Sequence, residues 1–192
     1  MNSPIKRFLS ISLTAALHLP VALAQTAPPD LHCMPDTATL VFDAKIAIAG
    51  TELTGIAIMK RENARFRVLF TSIAGPKLLD MYVDADGHEL LHAAKKLKRK
   101  KLLNFLQKTF ALITGAYLAS PNRECSAAEC RVSLPKRDEA RYLFDETRRI
   151  VAAEYLHKNK PVFKSAWSYS SDTLEYIRLQ HPALIWELRI KN

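Results

Sequence analysis

Between residues 65 and 84, apolar and polar side chains alternate twice, once on each side of a Gly-Pro corner. Phe66, Val68 and Phe70 share one parity and Arg65 and Arg67 the other, which predicts a strand with one buried and one wet face. Leu79, Met81 and Val83 alternate with Asp80, Tyr82 and Asp84 beyond the turn formers Gly75-Pro76, so the two runs read as a hairpin. Upstream, Leu40, Phe42, Ala44, Ile46 and Ile48 occupy even positions around Asp43 and Lys45, and the stretch 50–55 separates them from Ile56-Ala57-Ile58. A first hairpin therefore feeds the second through Lys60-Arg61-Glu62-Asn63. Four strands with no helix between them predict an antiparallel meander.

After Asp84-Ala85-Asp86-Gly87 the period changes. Leu102, Phe105, Leu106, Phe110, Leu112 and Ile113 recur along one helical face, with Lys98, Lys101, Asn104 and Lys108 opposite, and Thr114-Gly115 marks the end. This amphipathic helix is the natural cover for the apolar side of the sheet. Alternation then returns over 130–134, 141–144, 150–156, 162–168, 173–179 and 184–190, with a short second helix expected near 136–140. About nine or ten strands and one clear helix make the chain α+β and mostly β. Trp167, Tyr169, Tyr176 and Trp186 are spread over those strands and read as core or rim aromatics.

The first 24 residues follow another rule. Lys6-Arg7, an apolar run over 8–23 and the small-residue pattern Ala22-Leu23-Ala24 predict a secretory signal peptide cut near Ala24, followed by a Pro-rich lead-in coil over 25–37 and one domain over 38–192. A length of 192 residues with 48% hydrophobic and 24% charged side chains suits such a domain. Loss of Lys6 and Arg7 lowers the net charge of +9 by two, to +7. Export makes nucleic acid an unsuitable partner for that charge; anionic lipid headgroups or an acidic envelope protein fit it better. The expected compartment is the periplasm, and the expected state is a monomer. Of three cysteines, Cys125 and Cys130 are separated by Ser126-Ala127-Ala128-Glu129, a spacing that turns a hairpin and brings two sulfurs together; this leaves Cys33 free or competing for one of them.

Two motifs carry candidate chemistry. His88-Glu89-Leu90-Leu91-His92 matches the H-E-x-x-H string of zinc peptidases, which needs a helix so that both imidazoles reach one metal and the Glu polarises its water. A turn precedes it and no third ligand follows at a familiar spacing; on a strand His88 and His92 would lie about 13 Å apart on one side. The solvated-strand reading is preferred and no catalytic residue or cofactor is expected. The chain also lacks a glycine-rich phosphate loop, a G-x-S-x-G elbow and a CxxC pair. The second motif is Lys95, Lys96, Lys98, Arg99, Lys100 and Lys101, six cations interrupted by Leu97 alone. At the start of a helix they oppose the macrodipole, which favours contact with phosphates or an acidic partner.

The order of elements from 38 to 192 resembles the LolA/LolB family, the periplasmic carrier and outer-membrane receptor that pass lipoproteins between bacterial membranes. The likeness is carried by the first hairpin, by RENARFRVLFTSIAGPKLLDMYVDADGHELLH, by the covering helix and by the closing pair EYIRLQHPALIWELRIKN. It is closest to the receptor branch over 70–80. The resemblance implies a strongly curved, unclosed antiparallel half-barrel, lidded by helix, that shelters acyl chains of a lipid or lipoprotein. The candidate cavity lining is then Phe42, Ile46, Ile56, Phe66, Val68, Phe70, Leu79, Met81, Leu106 and Phe110. Where the receptor projects a leucine at the membrane this chain has Ala74, with Ile73 beside it, and no cysteine is placed for lipidation. A soluble carrier or accessory relative is the expectation.

Overall fold

The computed structural model describes residues 39–48, 51–63, 65–171, 173–181 and 184–190; the expected leader, the expected lead-in coil and Cys33 lie outside them. Alternating sequence becomes successive hairpins: β1 (Thr39–Ile48), β2 (Thr51–Glu62), β3 (Arg65–Ser72), β4 (Lys77–Val83) and β5 (His88–Ala93), each antiparallel to the one before. A helical segment interrupts the meander. It comprises a 3-10 turn at Lys95–Leu97, the helix α1 (Lys100–Ile113) and a second 3-10 turn at Ala116–Ala119. Seven strands follow: β6 (Arg123–Cys125), β7 (Glu129–Leu134), β8 (Asp138–Phe144), β9 (Ile150–His157), β10 (Lys160–Ser170), β11 (Thr173–His181) and β12 (Leu184–Ile190).

All twelve form one antiparallel sheet, in which β12 returns to pair with β1. Every strand pairs with its chain neighbours except at one place, between β5 and β6. The sheet is therefore an unclosed barrel, and its gap is where the helical segment leaves and rejoins it. The inner face carries Phe42, Met59, Phe66, Val68, Phe70, Leu79, Met81 and Val83 from the first half, and Tyr142, Tyr155, Phe163, Trp167, Leu179 and Trp186 from the second, all buried. Burying each such side chain stabilises the fold by about 1.5–3 kcal/mol.

The helix is more than a lid. Leu103, Leu106, Phe110 and Ile113 make the expected stripe, but Gln107, Thr109, Ala111 and Leu112 are buried as well, so only the first turns keep a wet face. Phe110 meets the Trp186 ring edge-on at 4.7 Å. The C-terminal half of α1 thus plugs the barrel. It stops at Gly115, whose φ of 73° is the left-handed turn that glycine adopts without strain, while Thr114 Oγ1 donates to the Phe110 carbonyl at 2.7 Å.

Three expectations change. The second helix near 136–140 is a 3-10 turn at Pro135–Arg137 that leads straight into β8, because Lys136 and Arg137 take positive φ and cannot propagate a helix. Asp80, placed by parity on the wet face, is 1% exposed: Arg67 clasps it with two hydrogen bonds of 3.1 and 3.0 Å and Lys77 adds a third at 2.8 Å. Those donors, Arg67 first, hold its carboxyl below the usual range despite burial. Ile56 lies on the opposite face from the other candidate lining residues. β1 and β2 are joined across residues 49–50, so Phe42 pairs with Ala57 and Ile56 pairs with exposed Asp43. The disulfide Cys125–Cys130 is formed, between directly paired residues of β6 and β7.

One glycine is demanded by packing. A Cβ on Gly55 would overlap the carbonyl oxygen of Thr71 and stand 2.9 Å from Phe70 Cε2, and that carbonyl belongs to the β2–β3 ladder. Gly55→Ala is expected to lower the unfolding free energy by at least about 2 kcal/mol, whereas Gly87→Ala, with open space around it, leaves it nearly unchanged; urea unfolding of both variants checks this.

Candidate functional site

The most concentrated polar chemistry lies where α1 meets β8 and β9. Asp138, the first residue of β8, is buried after the Pro135 turn and is met by three side chains from two elements. Lys108 of α1 donates to Oδ2 at 2.8 Å, the Tyr155 hydroxyl of β9 donates to the same oxygen, and His157 Nδ1 lies 2.6 Å from Oδ1. Burial pushes the Asp138 carboxyl up, but the bonds from Lys108, Tyr155 and His157 together outweigh it and hold the group below its ordinary range. Burial and the neighbouring carboxylate both push the Tyr155 hydroxyl upward, so it is a fixed donor and not a base. Lys108 also sits 4.7 Å above the Tyr155 ring. This network is the polar clip that holds the plug to the wall.

An aromatic ladder runs from that clip. Tyr155 stacks on Phe163 with centroids 5.0 Å apart, Phe163 meets Phe105 of α1 edge-on at 5.4 Å, and Phe105 meets His181 at 4.8 Å. Beyond it opens a cleft of about 620 Å³, lined by Pro161, Val162, Phe163 and Lys164 of β10, Arg178, Gln180 and His181 of β11, and Glu187 of β12. Val162 is an extra residue in β10: the register with β9 shifts between Pro161 and Phe163, a bulge that re-aims a side chain. Burial lowers the His181 pKa, which keeps the imidazole neutral beside Phe105. Arg178 is 3.7 Å from Glu187, and Lys164 is 2.6 Å from Glu154. The result is a hollow with a mainly apolar surface and a paired charged rim.

The sequence-based candidates fall elsewhere. Phe42, Ile46, Phe66, Val68, Phe70, Leu79, Met81, Leu106 and Phe110 are buried in the packed core around α1, Ile56 is turned away from it, and none of the ten lines the cleft. Ile73 is 77% exposed at the tip between β3 and β4, next to exposed Ala74; Gly75, with φ 97°, completes the three-residue turn. Lys95, Lys96, Lys98, Arg99, Lys100 and Lys101 are all exposed. His88, Glu89 and His92 are on strand β5, not a helix. Leu91 is an extra residue there, so His88 pairs with inward Val83 while His92 pairs with Asp80 on the other face. The two imidazoles are on opposite sides of the sheet, where one metal cannot bridge them, and no group of three metal-binding side chains gathers among the described residues.

Sequence reasoning missed Asp138, Tyr155, His157, Phe163 and His181. Asp138 sits in the polar run PKRDEA, which carries no hint that its carboxylate is covered. Phe105 was visible on the helical face, but its partners come from strands far along the chain.

The class defined by this geometry is an unclosed antiparallel half-barrel plugged by one helix, with a cleft lined by β10, β11 and β12. No protein-family model matches the chain, and no curated protein does. Among solved structures, that of a DUF1329 family protein from Desulfovibrio piger is similar over 81% of this chain and 85% of the other, with 11% sequence identity and a TM-score of 0.49. The functional reading therefore rests on the residues of this chain.

Asp138 is ionised in the folded protein at pH values where the unfolded chain binds a proton. Its stabilisation is complete above the ordinary carboxylate pKa and is lost as pH falls through the lower folded value. Asp138→Asn is expected to cost about 1–3 kcal/mol near neutral pH and to make the acid limb of the stability curve shallower. Urea midpoints of wild type and variant across the acid range check both.

Proposed function

We propose that this protein is an exported, non-catalytic carrier or accessory protein that shelters the acyl chains of a lipid or lipoprotein, in the manner of the LolA/LolB family its sequence resembles. It acts in the periplasm after removal of the leader, in outer-membrane lipoprotein or envelope lipid traffic, and needs no cofactor. The observation that carries the reading is the cleft of about 620 Å³ whose wall residue Phe163 is in contact with Phe105 of the plug. Pockets of about 300–1,000 Å³ are the usual size for small apolar ligands.

A chain end entering beside Val162 meets hydrocarbon on the β10 wall and then the Phe105 ring. The inner faces of β1, β3 and β4 beneath α1 carry Phe42, Val68, Phe70, Leu79 and Met81, so an acyl chain that displaces Phe105 would meet apolar side chains there. Hydrophobic transfer supplies about 0.8 kcal/mol for each methylene buried, so a chain of modest length compensates for the displaced helix contacts. His181, kept neutral, and the paired rim add no desolvated charge to oppose it.

Extraction of the purified protein into organic solvent is expected to release a stoichiometric acyl lipid detectable by mass spectrometry, and a fluorescent fatty acid is expected to bind to the delipidated protein. Val162→Arg, which fills the cleft mouth, should weaken the probe at least about tenfold with an unchanged circular dichroism spectrum, while Leu143→Arg, a half-exposed site on β8, should not. Protein that carries no lipid and binds no probe would sink the proposal.

A further inference from the structure

The cations of this surface divide into two populations. Many on the strands are neutralised locally: Arg65 by Glu89, Arg67 and Lys77 by Asp80, Lys45 by Glu52, Lys164 by Glu154, and Arg189 by Glu187, whereas Lys160 and the turn residues Lys136, Arg137 and Lys158 form a small group unpaired among the described residues. The six between residues 95 and 101 are the longer unpaired run. None of them has an ion-pair partner among the described residues, and the sequence holds no Asp or Glu between Glu89 and Glu124 that would supply one. The backbone beneath them is nevertheless fixed. Ala94 N–H donates to the Leu78 carbonyl at 2.8 Å, Leu97 N–H donates to the Ala94 carbonyl at 2.8 Å, and the Leu97 side chain is buried as an anchor. Unpaired charge of one sign is held in place against its own repulsion and against the dipole of α1, which has no acidic residue in its first turn and no side-chain cap.

The same edge of the sheet shows apolar side chains. Among the described residues the exposed large hydrophobics are Ile73, Leu90, Leu91 and Leu143, and three of these four lie on β5 or on the turn before β4. Leu91, at 47% exposed, is the bulge residue of β5, and β5 runs directly into the basic segment. Its neighbour β4 starts just after the turn that exposes Ile73 at 77%. A cationic collar beside apolar teeth matches the chemistry of a bilayer interface, where phosphates lie outside and hydrocarbon begins a few ångströms deeper. Five of the six cations are lysines, compact point charges on flexible stems, which suit a diffuse sheet of headgroups better than the planar bidentate pairing for which arginine is selected at protein interfaces.

We propose that this edge, the 95–101 segment with Leu90, Leu91 and Ile73, docks the protein onto a bilayer that carries anionic phospholipid headgroups. The docking surface does not rest on the acyl-chain reading: vesicle binding can fail with the cleft occupied, and the cleft can be empty in a protein that binds vesicles.

Sedimentation of the purified full chain with vesicles tests it, read as the ratio of binding to phosphatidylcholine containing about 30% phosphatidylglycerol over binding to phosphatidylcholine alone. The expected ratio is at least about tenfold at low salt and close to one near 1 M salt, where the Debye length falls to about 3 Å. Lys95→Glu/Lys96→Glu/Lys98→Glu should abolish the preference. Arg137→Glu/Lys158→Glu/Lys160→Glu, the same charge change at exposed sites elsewhere, should keep it. The neutral variant Lys95→Gln/Lys96→Gln/Lys98→Gln, which adds no repulsion, should fall between wild type and the charge reversal. Equal binding to both vesicle types, equal loss in the two charge-reversed variants, or a segment that captures an acidic protein while ignoring anionic vesicles would each overturn the proposal.

Discussion

The structure depends on how a sheet of twelve strands can have a dry inside. Eight strands roll into a barrel narrow enough for their own side chains to fill, and each further strand widens the interior. Twelve leave a lumen that Phe70, Met81 and Leu79 cannot span from one wall. The chain resolves this by omitting a single pairing, between β5 and β6, and sending the connecting segment inside. That explains why α1 is buried on nearly every side in its second half yet wet and basic in its first. The gap and the plug are one solution: closing the barrel would strand the helix outside, and removing the helix with its Phe110 would leave Trp186 and its neighbours on the wall facing a void.

A plug that fills a lumen is held by two kinds of contact with different consequences. Apolar packing along Leu103, Leu106 and Phe110 is non-directional and can be replaced by any hydrocarbon of similar volume. The Asp138 clip is directional, and a shift of Lys108 breaks its link to the helix. The aromatic ladder joins the two, since Tyr155 donates to Asp138 and stacks on Phe163, which touches both Phe105 and the cleft. The helix is consequently fixed near Lys108 and replaceable near Phe105. Displacement beginning at the cleft would hinge about the clip instead of freeing the whole segment.

Much of this was legible in the sequence where one strand's pattern suffices. The parities of Phe66, Val68, Phe70, Leu79, Met81 and Val83 set the inner face of β3 and β4, and the helix over residues 102–113 was plain from its period. Reading failed where a count of one residue decides. The β1–β2 connection is two residues, so Thr51 to Gly55 belong to a strand and the parity of β2 is offset from that of β1; Ile56 changes face as a result. The extra Leu91 does the same to His88 and His92. Such bulges leave no local signature, because they are settled by pairing with a neighbour and not by propensity. Asp138 was illegible for a different reason: its three donors come from α1 and β9, and only tertiary structure brings them to it.

The distribution of charge separates what the fold requires from what it merely permits. Cross-strand pairs such as Arg65–Glu89 and Lys45–Glu52 are exposed and contribute at most about 1 kcal/mol each, so stability does not explain why nearly every strand cation has a carboxylate opposite. Their effect is to keep the convex wall nearly neutral over a Debye length of about 8 Å. Against that background the longest uncompensated run among the described residues is 95–101, with six cations, ahead of the smaller group at Lys136, Arg137, Lys158 and Lys160. The longer run is also the one that opens the plug helix. Any surface that attracts residues 95–101 therefore pulls on the N-terminal end of α1, three turns at most from the clip at Lys108 and on the turn that carries Phe105. A charge pattern and an apolar interior that look unrelated in sequence are mechanically joined through fourteen residues of helix.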